Sequence, residues 1–544
     1  MAVNLEALDA KDIDAGVHES AQQRECRTSA VATLVSRFPG GGQATLDRSF
    51  LTWAAVLTVA CLWPIWWYRF LPMQDYPQHL FIAHVLSTFD SPNFDWRQNY
   101  ELNSGWGAYT LTYGLLRLFA TFTTIEAAGK LLTSLYVLLM AVVVLRAARY
   151  HSDVQPPWAL LLIFPFIFNQ TYFLGFESYL LSIPLLFLAL MDLDHLASHS
   201  RSVRSAVYQA GILALLFLTH PFSVLTYLFL GLVMALFHFP DRAAFKKMII
   251  PIGLVAAVFV AWYAGSTPTN APKYNWEIDW WPAKGIAAFY FVMFTGMRWF
   301  NGINIYATTL WAAFLGLLLF FAIRDWKQLR VSTPLAVLLA LTLLGYLFLP
   351  YWIGYYAFFN LRLAPVSYLL LAWIFTSVRV PHIAGHVCAA LAMGLVAVSV
   401  NVHAKISAET EQLVPLLAKM EKNSAVFPLL IDSGTTVIDP AIFLYLHAND
   451  HYYYHVLVGG GVNPSPFPNP MLPLHLRQNH YWPTSESLEQ VPRNKWQQAL
   501  SGYRYVLVRA DNSEPIQRWF GFATLVERSG PWTLLEISGT IVSH

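Results

Sequence analysis

Eleven stretches of this chain are apolar over close to the roughly 20 residues that a helix needs to cross a hydrocarbon layer about 30 Å thick. No water satisfies backbone N–H and C=O groups inside that layer, so only helices and closed barrels span it. Barrel strands of roughly 10 residues with alternating polarity are nowhere the dominant pattern. The expected fold is therefore an all-α polytopic membrane bundle of about 11 to 13 transmembrane helices. Charged residues make up 12% of the chain, about half the share of a typical soluble domain, which agrees.

The first segment is 51–70, followed by 127–146, 157–173, 176–192, 206–220, 222–238, 248–264, 304–323, 332–350, 362–378 and 384–402. Two further apolar pieces, 106–122 and 286–297, read either as full spans or as half-buried interfacial helices. Loop charge separates the two topologies. If neither piece crosses, the basic residues Arg146, Arg149, Arg201, Arg204, Arg242, Lys246, Lys247, Arg324, Lys327, Arg330 and Arg379 all share a face with Arg24, Arg27, Arg37 and Arg48 of the N-terminal tail. Positive charge marks the cytoplasmic side. This puts the N-terminus inside, the end of the last span outside, and the protein in the inner (plasma) membrane. Residues 1–48 are polar, contain FPGGGQATLDR and lack an apolar signal-peptide core, so they read as a disordered cytoplasmic tail.

Residues 49–403 are thus the transmembrane domain, and the composition changes after them. AETEQLVPLLAKMEKN has helical amphipathicity, VFPLLID and YRYVLVRAD are strand-like, and ATLVERSGPWTLLEIS reads as two strands joined by a Ser-Gly-Pro turn. Residues 404–544 are expected to form a small extracytoplasmic α/β domain. A net charge of +2 supplies no basic reservoir for neutralising phosphates, which argues against nucleic acid as a partner. Three scattered cysteines make neither a disulfide framework nor a zinc site. His447, His451 and His455 recur at i, i+4, i+8 and would align on a helix, but no nearby Cys or clear carboxylate completes a metal set.

This topology gathers the polar residues at one membrane level. The loop after the first segment begins LPMQDYPQHL, which puts Asp75 just outside the membrane beside Trp66, Trp67 and Tyr68, and His79 shares its face if the segment is helical with Pro77 in the first turn. NQTYFLGFESYLL brings Glu177 to the same level, FLTHPF brings His220, and PYWIGYYAFFNLRLAP brings Arg362. Bland roles compete: Glu177 as a helix-start acid, His220 as a turn residue before Pro221, Arg362 as a snorkelling cation, and the aromatics around Tyr355 and Tyr356 as interfacial belt. Asp75 is the hardest to explain so, because an acid in an apolar, aromatic setting at the membrane edge is costly.

An acid in the first outer loop, inside a many-span bundle with a soluble C-terminal domain, resembles the GT-C superfamily of lipid-linked sugar transferases. That superfamily includes protein O-mannosyltransferases and lipid A aminoarabinose transferases. DYPQHLFIAHVL, GFESYLLSIPL and FLTHPF are more similar to a poorly characterised bacterial group with a D-x-P-x-H pattern in that loop. Departures from the characterised members are that Asp75 is followed by Tyr76 rather than Glu and that no Pro-Pro-Leu motif follows. The resemblance implies a polyprenyl-phosphate sugar donor, a glycan, lipid or protein acceptor, membrane lipids as surroundings, and no obligatory cofactor or metal. It implies Asp75 as general base with His79 positioning it and Glu177 on a sugar hydroxyl. Arg362 would hold the leaving phosphate, with His220 or Lys273 as lesser candidates, and Tyr355 and Tyr356 offer stacking faces. A transporter or lipid flippase, or an inactive scaffold of the same fold, is the rival reading. Asp75 at an outer rim favours the transferase; Asp75 at the bottom of a two-sided central cavity favours transport.

Overall fold

The structure is a computed structural model that describes residues 46–103, 107–150, 156–198, 202–266, 278–279, 304–328, 332–353, 358–431, 437, 454–462, 472–477, 488, 490–510 and 518–537. All eleven apolar segments carry helix. The long helices are α1 (Arg48–Trp67), α4 (Ile125–Tyr150), α5 (Glu177–Ser198), α8 (Arg242–Ser266) and α12 (His382–Glu411). Among the described residues these five are long and apolar enough to cross a membrane. Shorter apolar helices are α6 (Val203–Thr219), α7 (Pro221–Phe237), α9 (Asn304–Arg324, apolar from Thr309), α10 (Thr333–Phe348) and α11 (Leu363–Ile374). Before α4, the described residues of the first loop region hold α2 (Tyr76–Thr88) and α3 (Thr110–Ala120), with a four-residue helical turn at Trp96–Asn99 between them.

The ambiguous piece 106–122 is represented by α3 alone. Its 11 residues rise about 16 Å, roughly half the hydrocarbon thickness. The other piece, 286–297, lies outside the described residues.

A continuous span was expected at 157–173, and here the structure differs. The stretch is broken into a 3₁₀ turn at Trp158–Leu162 and helical turns at Ile163–Phe166 and Gln170–Phe173. Pro165 has no N–H to continue the ladder. Asn169 then starts a new turn, its side-chain oxygen accepting from the amides of Thr171 (2.8 Å) and Tyr172 (3.2 Å). Broken backbone is tolerated at membrane depth only where protein surrounds it, and residues 157–174 are buried throughout.

The helix α5 is the axis of the bundle: 83% of its apolar window is buried, against 33% for α1 and 28% for α8, whose outer faces suit lipid. Helices α4, α6, α7 and α8 pack around it. Apolar contact gains little inside a bilayer, so close packing and hydrogen bonds between helices carry the association. Ser182 of α5 and Ser223 of α7 share a short hydroxyl hydrogen bond, and both are fully buried.

The sheets lie at one end of the bundle. Strand β1 (Tyr100–Leu102), in the first loop, pairs antiparallel with β5 (Leu474–Leu476), and β2 (Ile278–Asp279) pairs with β3 (Trp352–Ile353). The C-terminal strands β4 (Val426–Leu430), β6 (Tyr505–Arg509), β7 (Ala523–Ser529) and β8 (Trp532–Ile537) form a four-stranded sheet ordered β4-β6-β8-β7, parallel only between β4 and β6. The β7–β8 hairpin turns at Ser529-Gly530-Pro531, with Gly530 at φ +55°. Helix α12 runs to Glu411, so the expected boundary at 403/404 falls inside it. Glu409 of α12 accepts a 2.6 Å bond from Arg509 Nη2 on β6. The first loop and the C-terminal sheet therefore occupy the same face of the bundle.

Candidate active site

Asp75 is the residue preceding α2, with Pro77 in the first turn, and its carbonyl accepts from the amides of Gln78 and His79, both at 3.1 Å. Its own amide donates to Leu174 O (3.1 Å), and Gln74 N donates to Phe173 O (2.8 Å). The broken helix is thus the seat of the Asp75 loop. Gly175 closes that seat at φ +77°, and a Cβ built there would stand 2.7 Å from Asp75 N and 2.8 Å from Tyr76 N. Only glycine offers both the left-handed backbone and the missing side chain. Gly175→Ala is therefore expected to destabilise the fold by at least about 1 to 2 kcal/mol from backbone strain alone and to displace Asp75. Thermal unfolding in detergent checks this; an unchanged midpoint would mean the seat accommodates a methyl group.

His79 faces inward from α2, and its Nδ1 lies 2.8 Å from the Tyr113 hydroxyl of α3. Burial pushes the His79 imidazole down to about 4, so it is neutral at neutral pH. Burial first, then the nearby Tyr109, Glu177 and Asp75, holds the Tyr113 phenol protonated. Glu177 opens α5, is 4% exposed, and accepts a 3.1 Å bond from the Thr133 hydroxyl of α4. It stands within electrostatic reach of the phenols of Tyr76 and Tyr113. The helix-start role and a place in this cluster are compatible.

His220 caps α7: its Nδ1 accepts from Phe222 N at 3.2 Å, which leaves the ring proton on Nε2. That Nε2 lies 3.5 Å from Nη1 of Arg362. Both groups are donors, so they converge without satisfying each other. Arg362 precedes α11 and is 9% exposed, its guanidinium carbon 5.1 Å from the Phe176 ring, 5.8 Å from Tyr179 and 5.9 Å from Phe222. It is held among aromatic rings rather than extended to the lipid surface. The Tyr179 hydroxyl donates to the Arg362 carbonyl in a short bond.

Arg362 and His220 line a cavity of about 320 Å³ whose other walls include Phe222, Leu225, Phe259, Trp262 and Tyr263 of α7 and α8. Asp75 is not part of that lining. Between them stand His79, Tyr113 and Tyr109, the last packing edge-on against the His220 ring at 5.3 Å. Tyr109 has φ +72°, a costly conformation for a side-chain-bearing residue, held by its amide bond to Thr219 O at 2.9 Å. Next to it, Gly107 packs so tightly on Trp262 that a Cβ would meet the indole at 2.0 Å.

Of the residues expected from sequence, Asp75, His79, Glu177, His220 and Arg362 gather at this end of the bundle. Lys273, Tyr355 and Tyr356 lie outside the described residues, as do His447, His451 and the side chain of His455. Among the described residues no group of three or more His, Cys, Asp or Glu is placed to hold a metal ion. Sequence reasoning missed Gly175, Tyr109, Tyr113 and Thr133. Gly175, beside the acid in GFES, is the one that carried a visible signal.

No protein-family model matches the chain, and no curated protein matches it in sequence. Among solved structures, it shares its fold with ArnT from Cupriavidus metallidurans, a GT-C glycosyltransferase crystallised with undecaprenyl phosphate bound. The TM-score is 0.50 at 11% identity, over 90% of this chain and 99% of that one. The two chains are alike in fold.

Proposed function

We propose that the chain is an integral-membrane glycosyltransferase that moves a sugar from a polyprenyl-phosphate donor to an acceptor on the face bearing the C-terminal sheet. The observation that carries this reading is the apolar cavity ended by two converging donors, Arg362 and His220, in a chain that shares the fold of ArnT. A polyprenyl chain suits aromatic and aliphatic walls. A phosphate suits a guanidinium, which offers a fork of donors.

In the reaction, Asp75 takes the proton of the acceptor hydroxyl as its oxygen attacks the anomeric carbon. The bond from that carbon to the phosphate oxygen breaks, its electron pair leaving with the lipid phosphate, and configuration inverts. General base catalysis contributes about 10² to 10⁴-fold. Arg362 and His220 meet the charge that grows on the phosphate. His79, neutral and bonded to Tyr113, orients the turn that bears Asp75, and Glu177 accepts from a sugar hydroxyl. Lys273 is a further phosphate ligand, and Tyr355 and Tyr356 stack on the sugar.

The position of these groups at one end of the bundle, rather than midway along it, favours a transferase over a transporter. Binding of undecaprenyl phosphate to the purified protein tests the donor site. Leu225→Trp, which fills the cavity, is expected to weaken binding at least about tenfold, from the loss of a contact surface worth more than about 1.4 kcal/mol. Equal binding by the variant would move the lipid elsewhere.

In this reading eleven segments cross the inner membrane, the N-terminus is cytoplasmic and the C-terminal sheet is outside, as the basic loops require. A fusion after His544 of a reporter that works only outside the cytoplasm is expected to be active; activity only of a cytoplasmic reporter there would reverse the orientation.

A further inference from the structure

Helix α12 carries a fully buried histidine, His403, that the reaction above does not use. Its Nδ1 lies 2.8 Å from the carbonyl of Ser399, one turn earlier. A carbonyl only accepts, so the ring proton sits on Nδ1 and Nε2 is an acceptor. That Nε2 lies 2.7 Å from the hydroxyl of Tyr172, which therefore donates to it. Phe168 packs edge-on over the imidazole at 4.8 Å, fixing the ring. Both histidine nitrogens and the phenol are thus satisfied, with a tautomer set by the backbone.

Tyr172 belongs to the turn Gln170–Phe173, and the two residues after it hold the Asp75 loop: Phe173 O accepts from Gln74 N, and Leu174 O from Asp75 N. That turn follows a helix break, so no ladder from the preceding residues fixes its orientation; Asn169 starts it and Tyr172 anchors it sideways. One helical turn beyond His403, Ser407 Oγ accepts from Phe70 N at 3.3 Å, at the other end of the same loop. His403 and Ser407, at i and i+4, share a face of α12, and that face pins both ends of the segment that presents Asp75.

We infer that His403 is a positioning residue for Asp75, acting through the Tyr172 hydroxyl. The catalytic consequence rests on the transferase reading; the mechanical one does not. A carboxylate displaced by about 1 Å from its acceptor loses up to about 10²-fold in rate, so His403→Leu is expected to lower kcat about 10- to 100-fold while KM for the donor stays within about twofold. Gln offers an oxygen to Tyr172 and an N–H to Ser399, so His403→Gln is expected to recover most of the rate.

The test combines that kinetic comparison with hydrogen exchange of peptides covering residues 71–80 in the full-length protein in detergent. Loss of one anchoring hydrogen bond is expected to speed exchange at the Gln74 and Asp75 amides roughly five- to tenfold in His403→Leu and in Tyr172→Phe, with α5 unchanged. Tyr172→Phe removes a single oxygen and decides the matter if the Leu variant does not fold. Unchanged exchange at residues 74–75 in Tyr172→Phe overturns the inference, as does a variant whose KM rises while kcat holds. Should wild type transfer no sugar from any donor, the functional reading falls and the exchange data alone decide the positioning role.

Discussion

Asp75→Asn is expected to lower sugar transfer by about 10² to 10⁴-fold with expression, thermal midpoint and undecaprenyl phosphate binding close to wild type. The amide keeps the shape of the side chain. The backbone contacts that seat residue 75, to Leu174, Gln78 and His79, do not involve the carboxylate. What the substitution removes is the basicity needed to take a proton from the acceptor hydroxyl. Single-turnover transfer with saturating donor separates the chemical step from binding. An Asn variant that transfers at a near wild-type rate would strip Asp75 of the base role.

Arg362→Ala is the second large effect, and it falls on the donor rather than on the proton. The guanidinium is buried among Phe176, Tyr179 and Phe222 and converges with His220 on the cavity. A hydrogen bond to a charged group is worth about 1.5 to 3 kcal/mol, so donor affinity is expected to drop roughly 10- to 150-fold. Arg362→Lys keeps the charge but loses the planar fork and is expected to fall between the two. Donor-concentration dependence of transfer measures both. Wild-type donor affinity in the alanine variant would make Arg362 an aromatic-packed anchor and send the search for a phosphate ligand to the 273–298 loop.

The membrane-spanning character of the fold was legible because it depends on segment length and apolarity, which are local properties. So was the Ser-Gly-Pro hairpin. The gathering of Asp75, Glu177, His220 and Arg362 followed from topology alone, since each falls near a segment end. What topology could not supply were the contacts between ends. Residues 157–173 read as one apolar span because hydropathy does not register that Pro165 and Asn169 break it. Tyr113 and Thr133 are ordinary helix residues until α3 and α4 bring them against His79 and Glu177. His403 lies 231 residues from its partner Tyr172, and nothing in the VNVHAKI stretch distinguishes it from a polar interruption of the last span.

In the proposed reaction this bundle breaks a bond between a sugar and a polyprenyl phosphate. The measurement that tests it most directly is release of undecaprenyl phosphate from a panel of undecaprenyl-phosphate-linked sugars by the purified protein in nanodiscs. Wild type and Asp75→Asn would be run side by side, with an extract of cell-envelope glycans and lipids as acceptor. Wild type is expected to show acceptor-dependent release from at least one donor, with the anomeric configuration of the product inverted, and Asp75→Asn to release at least about 10²-fold more slowly. No release from any donor, with lipid crossing the bilayer equally fast in both proteins, would contradict it and leave a transporter in the same fold.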